Sequence, residues 1–392
     1  MNQTALTLLG DISPRQFMRE YWQKKPLLIR QAIPDIKPPV SHANLKKLAK
    51  SDDVQSRLIQ QINGQWHLTH GPLNRLPSTK QPNWTLLIQS LDIHDDAAAS
   101  LLHRFNFIPA ARLDDLMASI ATTGGGVGPH FDSYDVFLIQ AQGERRWRYG
   151  SQADLTLVDD LPLKILQNFK PEHDEVLAPG DMLYLPPHAA HDGIALSDDC
   201  MTLSVGFRAP DAATLAQGML EAAAEQISAR THGGAGPMAD PPLPGPDLSA
   251  RFRDPRQSAT EEPAAIPEQL LLATLAAVKR VSFDHALAQR FLGCWLTEPN
   301  ALAIFDPDDN IDELLPGMRL TLDRRSRMLY AGQVVFLNGE VAPIKASAWL
   351  RRLANERELL LTESLLSRLS DHAIDCLLDW AQSGWIHTSK QP

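Results

Sequence analysis

The feature that most constrains this chain is a series of short apolar segments between residues 112 and 208. The segments LMASI, DVFLIQ, RWRYG, MLYLP and MTLSVGF are each a few residues long, and Gly, Pro and Asp turns separate them. Segments of this length and spacing are typical of strands in an antiparallel sandwich or barrel, because the chain must turn back after each one. The sequence therefore predicts a β-rich core in this region.

The sequence on either side of this core has a different pattern. SPRQFMREYW predicts a helix with Ser13 as its N-cap, and a strand follows at PLLIR. Residues 211–230 are rich in Ala and straight-chain residues, which favours a helix. The segment from Gly233 to Pro267 contains many prolines and glycines, so we predict a mobile loop there.

The last part of the chain has its own pattern of helices and strands. RMLYAG and QVVFLNGEVAPI predict a hairpin with a turn at Asn338-Gly339, and ASAWLRRLANERELLL and DHAIDCLLDWAQ predict two helices. Helices beside a small hairpin indicate a winged-helix-like domain over 301–392. The fold class is therefore predicted to be α+β, with a barrel-bearing region at 1–210 (barrel core about 97–208) and a helical region at 211–300.

Charge and cysteine content exclude several classes of protein. Lys and Arg total 37 against 47 for Asp and Glu, and a net charge of -10 argues against indiscriminate nucleic-acid binding. Three scattered cysteines provide neither a disulfide framework nor a cysteine-based zinc site. The N-terminal residues do not resemble a signal peptide, and no stretch approaches the roughly 20 apolar residues of a membrane span. We expect a cytoplasmic protein without membrane association.

A possible metal site lies within the β-rich region. In TTGGGVGPHFDSYDVFLIQ, His130 and Asp132 stand two residues apart, so on a strand they would share a face. His191 belongs to a second segment, APGDMLYLPPHAAHDG, where a Gly-Asp turn and a strand precede it as in cupin hairpins. Two histidines and one carboxylate form a facial triad that leaves coordination positions open. Each motif alone could arise by chance among 13 histidines, but together they favour a metal site.

Strand alternation selects one arginine of the segment GERRWRYG. Arg145 and Trp147 share one face of the predicted strand, and Arg146 and Arg148 share the other. The arginine beside the tryptophan is the better candidate for the barrel interior, where its planar guanidinium could pair with a carboxylate of a co-substrate. Two alternatives stay open: a solvated surface arginine, and a cupin isomerase or dioxygenase that needs no carboxylate co-substrate.

These motifs together resemble a known family. GGGVGPHFDSYDVFLIQ, GERRW, PGDMLYLPP and SVGFRAP look like the JmjC-type cupin ribosomal oxygenases, and YWQKKPLLIR, WHLTHGP and NWTLLIQ agree with that likeness. The resemblance is strongest over about residues 15–210. It implies a double-stranded β-helix (cupin/JmjC) catalytic core, a helical region through which the chain forms a homodimer, and a C-terminal winged helix.

The resemblance also implies cofactors and the residues that hold them. It implies Fe(II) at His130, Asp132 and His191, with 2-oxoglutarate and O2 as co-substrates. It implies that Arg145 binds 2-oxoglutarate with Ser119 as a hydroxyl partner, and His130 is the third cofactor-binding residue. The sequence departs from the family pattern PPGxxH at position 188, where glycine is expected and His188 stands. We do not count His188 as a metal ligand. The pair Thr122-Thr123 before the glycines is a second departure.

The substrate, too, is implied by the resemblance. Eukaryotic members that hydroxylate histidine carry lysine at the position of Arg145, so arginine here favours the bacterial type. That type hydroxylates the β-carbon of an arginine in large-subunit ribosomal protein sixteen, which is the expected partner.

Alternation adds three candidate substrate-binding residues. In LDDLMASI, Asp115, Met117 and Ser119 share a face, and in HFDSY, Tyr134 shares the face of His130. A carboxylate for the guanidinium, with a thioether and a ring for the methylene groups, would suit an arginine side chain. The alternative is that Asp115 caps a turn and Tyr134 packs in the core.

Two other functions stay open from the sequence. One is a histidyl hydroxylase or a demethylase of methylated lysine with the same chemistry. The other is a non-enzymatic interaction protein, in which a winged helix accompanies a vestigial cupin. The intact triad and Arg145 argue against a vestigial site, and the acidic helix DHAIDCLLDW argues against direct nucleic-acid binding.

Overall fold

The computed structural model describes residues 4–232, 236–238, 243, 245–308 and 310–390. The chain forms two compact units, and the boundary between them lies between Ala209 and Pro210. Part of the predicted mobile loop 233–267 lies outside the described residues, and residues 245–267 form neither helix nor strand. Among the described residues, no helix combines the length and the hydrophobicity that a membrane crossing requires.

The first unit combines short N-terminal helices with antiparallel strands. Ser13 accepts a hydrogen bond from the Gln16 amide and Pro14 occupies the first helical position, which confirms the predicted N-cap. The helices and strands are, in chain order, α1 (Pro14–Glu20), β1 (Leu27–Ile29), α2 (His42–Leu48), β2 (Ser56–Ile62), β3 (Gln65–His70), β4 (Trp84–Ile88), α3 (Asp96–His103), β5 (Leu113–Ala121), β6 (Val136–Gln142), β7 (Arg145–Gly150), β8 (His173–Leu177), β9 (Met182–Leu185), β10 (Ala190–Ala195) and β11 (Cys200–Phe207).

These strands form two sheets. The larger sheet has the order β1-β9-β6-β11-β5-β4-β2-β3, and the smaller has the order β10-β7-β8. Alternate residues of β6 and β9 point to opposite faces. One set, which includes Leu138 and Leu183, packs with Trp147 and Leu177 of the smaller sheet and fills the space between the two sheets.

The outer face of the large sheet is covered by the N-terminal segments. Phe137 and Tyr184 point to this side and pack against Phe17 and Phe105 in the largest core of the unit. Because both faces of the central strands are buried, β11 is buried along its whole length. The rigid sheet that results fixes the positions of the side chains on its inner face.

The glycine run before His130 passes close to other backbone segments. A Cβ atom added at Gly125 would lie 2.3 Å from the Trp84 carbonyl oxygen, and one added at Gly126 would lie 2.5 Å from the Gly193 carbonyl oxygen. Larger residues would therefore push this segment away from both sheets.

The second unit contains a helical part and a smaller mixed part. Its elements are α4 (Ala212–His232), α5 (Glu268–Val278), α6 (His285–Thr297), β12 (Met318–Leu322), β13 (Met328–Ala331), β14 (Val334–Leu337), β15 (Glu340–Val341), α7 (Ala348–Glu356), β16 (Glu358–Leu360), α8 (Glu363–Leu366), α9 (Asp371–Gln382) and β17 (Ile386–Lys390). The strands form two three-stranded sheets, β16-β12-β17 and β13-β14-β15.

The sequence prediction for this unit was right in outline and wrong in one element. The turn at Asn338-Gly339 exists, with both residues at positive φ, and it joins β14 to β15. The helix predicted over ASAWLRRLANERELLL ends early, because Arg357 adopts a left-handed conformation with φ of 61°. The residues that follow form β16 and pair with β12.

Candidate metal centre

Three side chains meet at one end of the first unit. The ligand atoms of His130, Asp132 and His191 lie within 4.8 Å of one another. His191 lies in β10. Its backbone pairs with that of His130 in an isolated antiparallel bridge, with two amide-to-carbonyl hydrogen bonds of 2.9 and 2.8 Å. Asp132 lies outside any strand, so the prediction that it shares a strand face with His130 is wrong. Its carboxylate nevertheless lies close to the two histidines.

Backbone contacts fix the tautomer of both imidazoles. The Nδ1 atoms of His130 and His191 lie 2.9 Å from the carbonyl oxygens of Gly128 and Ala189. A carbonyl can only accept, so each Nδ1 carries a proton and Nε2 is the nitrogen that can bind a metal. Burial, followed by the neighbouring His130, lowers the pKa of His191, which keeps that ring neutral at pH 7.

This arrangement is suited to a divalent transition metal. Two imidazole nitrogens and one carboxylate oxygen form the donor set of a 2-His-1-carboxylate facial triad. His191 Nε2 and Asp132 Oδ2 are 3.7 Å apart, beyond normal hydrogen-bond distance, so the two groups converge without satisfying each other.

His188 lies beside the triad and outside the cluster of ligand atoms. Its side chain is exposed, its φ is 64°, and its ring centroid is 5.6 Å from that of Phe131. Its amide donates to the Asp132 carbonyl at 2.7 Å. Through this backbone hydrogen bond, His188 helps to hold the loop that carries Asp132.

Arg145 lies in β7 with its side chain in the interior of the unit. Only 3 % of the residue is exposed, and Trp147 on the same face is also buried, whereas Arg146 on the other face is exposed and pairs with Asp174. The Arg145 Nη1 atom reaches the Gly193 carbonyl at 3.4 Å. Its Nε and Nη2 atoms are buried and have no hydrogen-bond partner among the described residues.

The Nε and Nη2 groups make this burial costly, because no hydrogen bond among the described residues offsets their desolvation. In the register of β7 and β10, Arg145 stands opposite Ala195, and its side chain extends toward Gly193, two residues from His191. The geometry therefore leaves a cation in the interior near the triad, where an anionic ligand would satisfy it.

Ser119 lies on the inner face of β5 and is buried. Its hydroxyl is 3.4 Å from the Thr202 carbonyl on the neighbouring strand, a long contact. Sequence reasoning missed two buried polar neighbours: the Thr202 hydroxyl donates to Gln140 Oε1 at 2.9 Å, and Gln140 is fully buried. The sequence offered one signal for Gln140: it lies near the end of an apolar strand and shares the inner face with Leu138.

The three predicted substrate-binding residues lie near one another. Asp115 is buried, Met117 is half-buried, and Tyr134 is 42 % exposed. A Cβ atom added at Gly206 would lie 3.5 Å from Asp115 Oδ1 and 3.9 Å from Tyr134 Cε2, so both groups border the same small space. Tyr134, like Asp132, lies outside any strand.

The Asp115 carboxylate has protein partners on one of its oxygens. Oδ2 accepts hydrogen bonds from Gln89 Nε2 at 2.6 Å and from the Ser90 amide and hydroxyl at 2.8 and 3.1 Å. Burial, followed by the nearby Asp114 carboxylate, raises the pKa of Asp115 despite these donors. These partners come from the loop after β4, so strand alternation could not reveal them.

Comparison with known proteins identifies the family. A JmjC domain model matches residues 100–215, and a ROXA-like winged-helix model matches residues 280–387. The ribosomal protein uL16 3-hydroxylase of Escherichia coli is 33 % identical over 336 residues, which covers 83 % of this chain and 84 % of that protein. The chain belongs to the JmjC-type ribosomal oxygenase family.

Other members agree along nearly the whole length. A probable ribosomal oxygenase of Haemophilus influenzae is 31 % identical over 418 aligned positions, which cover 98 % of both chains. The crystal structure of E. coli YcfD matches with a TM-score of 0.77 and 28 % identity, covering 96 % of this chain and 98 % of that one. YcfD in complex with cobalt and 2-oxoglutarate matches with a TM-score of 0.75, 28 % identity and coverage of 95 % and 97 %.

These findings confirm the predicted family and fold class. The JmjC cupin core and the C-terminal winged helix are both present, in the order that the sequence indicated. Membership of this family makes the chain a ribosomal oxygenase of the 2-oxoglutarate-dependent dioxygenase class.

Proposed function

We propose that this oxygenase hydroxylates an arginine side chain of a large-subunit ribosomal protein, with Fe(II) held by His130, Asp132 and His191. The observation that carries the proposal is the buried guanidinium of Arg145, in which two nitrogen atoms, Nε and Nη2, have no hydrogen-bond partner among the described residues. A dicarboxylate bound to a metal by one end presents a second carboxylate that fits such a cation.

The residues present fit both cofactors. Two imidazoles and one carboxylate match a divalent iron with open positions, and Arg145 of the smaller sheet, together with Ser119 of the larger sheet, matches the far carboxylate of 2-oxoglutarate. When bound, Fe(II), 2-oxoglutarate and O2 supply the hydroxylation of a C–H bond, coupled to formation of succinate and carbon dioxide. The protein positions the substrate and excludes water from the interior.

The side chains that border the space beside Gly206 support an arginine substrate. The buried Asp115 offers a carboxylate for a guanidinium, and the ring of Tyr134 borders the same space. A carboxylate and an aromatic ring together suit a planar cation on a methylene chain. The similar E. coli protein is named for 3-hydroxylation of the ribosomal protein uL16, and the 3-position is the β-carbon that we propose here.

The test uses three synthetic peptides with the enzyme, Fe(II) and 2-oxoglutarate. One carries the target arginine in a uL16 sequence, the second carries histidine at that position, and the third carries methylated lysine. We expect a mass gain of one oxygen atom on the arginine peptide, with fragmentation placing it on the β-carbon. Oxidation of only the histidine peptide, or loss of methyl from the lysine peptide, would assign a different substrate.

We also propose that the chain forms a homodimer through its helical region. Helix α5 is apolar, yet none of its described side chains is buried: Leu272, Leu275 and Val278 are 56, 59 and 62 % exposed. A row of exposed aliphatic side chains on one helix is typical of a surface that a second subunit covers.

Light scattering at micromolar concentration tests this assembly. The wild-type chain should have the mass of a dimer, and Leu272→Glu/Leu275→Glu should have the mass of a monomer. Ile304→Glu is the matched control, because Ile304 is 63 % exposed and lies outside residues 211–300. A wild-type monomer would contradict the proposal.

A further inference from the structure

A chain of hydrogen bonds behind Asp115 connects three elements of the first unit. Gln89, just after β4, donates from Nε2 to Asp115 Oδ2 at 2.6 Å. Its other end, Oε1, accepts from Arg57 Nη2 of β2 at 3.3 Å. The direction of the chain is fixed, because a guanidinium can only donate and therefore selects the oxygen end of the carboxamide. The amide end must then face the carboxylate.

The same contacts divide the Asp115 carboxylate into two functional halves. Oδ2 accepts three hydrogen bonds, from Gln89 and from the amide and hydroxyl of Ser90. Oδ1 faces the space beside Gly206 and the Tyr134 ring. One oxygen is therefore anchored, and the other is directed toward the position that we propose for the substrate guanidinium.

Gln89 also bears on the charge of this carboxylate. Burial raises the pKa of Asp115, and the hydrogen bonds from Ser90 and Gln89 oppose that rise. A donor on Oδ2 stabilises the anion, which is the form that attracts a cationic side chain. Arg57 also reaches one of the proposed substrate-binding residues, because its Nη2 atom lies 3.9 Å from Met117 Sδ.

We infer that Gln89 and Arg57 are positioning residues that set the preference of this enzyme for a cationic target side chain. The inference rests on the proposed arginine hydroxylation and adds two residues that act through Asp115. Among the described residues, neither makes a hydrogen bond to the proposed metal ligands or to Arg145. Their loss should therefore affect the choice between charged and neutral targets and leave the rest of the reaction intact.

The test compares two peptides that differ only in charge at the target position: arginine and its neutral isostere citrulline. We expect the wild type to favour arginine in kcat/KM. Gln89→Leu should raise KM for the arginine peptide about tenfold, the range for losing a hydrogen bond to a charged group. It should reduce the arginine-to-citrulline ratio by a similar factor, while 2-oxoglutarate turnover without peptide stays at the wild-type rate.

Arg57→Met and the double variant complete a cycle. Because Arg57 acts by holding the carboxamide, Arg57→Met should reduce the same ratio by a smaller factor, and adding it to Gln89→Leu should have no further effect. Gln142→Leu is the matched control, since it removes another glutamine–aspartate hydrogen bond, to Asp199 at 3.2 Å, on the exposed surface. It should leave all parameters unchanged.

The outcomes separate this inference from the proposed function. If the wild type oxidises the arginine peptide and Gln89→Leu keeps the full arginine-to-citrulline ratio, the positioning role is wrong and the proposed function stands. If the two single variants have independent, additive effects, the inference that Arg57 acts through Gln89 is wrong. If the wild type does not oxidise the arginine peptide, both proposals fail. A variant that also loses peptide-free turnover would indicate a general structural role and would overturn the inference.

Discussion

The backbones of His130 and His191 hold each other in place. Each donates its amide to the carbonyl of the other, at 2.9 and 2.8 Å, and the two imidazole centroids are 4.2 Å apart. The side chains therefore converge because a loop and a strand are joined directly at the two ligand positions. The ring of each histidine is then oriented by a carbonyl only two residues away.

Metal binding should depend on His130 while the fold does not. His130→Ala removes one of three ligands but keeps the backbone bridge to His191, so the circular dichroism spectrum should be unchanged. Metal analysis after loading with Fe(II) or Mn(II) should show stoichiometric metal in the wild type and a large loss in the variant. His188→Ala, a nearby histidine outside the cluster, should keep its metal. Full retention of metal by His130→Ala would contradict the proposed ligand set.

Arg145 should determine the affinity for 2-oxoglutarate. Arg145→Ala removes a buried charge-assisted partner, a loss that typically costs about 2–5 kcal/mol, so the KM for 2-oxoglutarate should rise at least about tenfold. The KM for the peptide should change little. Arg146→Ala is the control, because its exposed side chain pairs with Asp174 on the outer face. An unchanged response to 2-oxoglutarate would mean that another cation binds the co-substrate.

The Asp115 carboxylate should be needed for peptide hydroxylation and dispensable for 2-oxoglutarate turnover. Asp115→Ala removes the carboxylate that we place opposite the guanidinium, so peptide hydroxylation should be lost while 2-oxoglutarate turnover without peptide continues. Asp114→Ala should be nearly normal, because Asp114 lies on the outer face and pairs with Arg208 at 3.2 Å. Damage from Asp114→Ala alone would mean that the strand presents the opposite face to the substrate.

In the second unit, His387 should make stability depend on pH. Its Nε2 lies 2.7 Å from the buried Asp323 Oδ2, and this hydrogen bond raises the pKa of His387 above the ordinary value of 6.5. A raised pKa means that the folded state binds the proton more tightly than the unfolded state. The stabilisation is therefore complete below 6.5 and is lost as pH rises through the higher folded-state pKa.

Thermal unfolding of wild type and His387→Gln from pH 5 to 9 tests this dependence. The wild type should have its largest advantage in Tm at the acid end, and the advantage should shrink as pH rises. His285→Gln, which replaces an exposed histidine at the start of α6, is the control variant. A wild-type advantage that grows with pH would contradict the assigned pair.

The sequence alone determined the chemistry of the site and the class of the fold. His130, Asp132 and His191 could be selected because few residue types bind iron, and Arg145 because alternation in β7 separated it from Arg146. These are local properties: a strand has a period of two, and a turn residue or a donor atom keeps its identity wherever the chain places it.

The tertiary structure decided which groups meet. Asp115 was on the predicted face, but its partner Gln89 lies 26 residues away and comes from a loop beside another strand. The residues after α7 have the composition of a helix, yet they pair with β12, because Arg357 ends the helix and the sheet supplies the hydrogen bonds. Contacts between distant segments depend on how sheets and loops pack, and a periodic pattern within one segment carries no record of what packs against it.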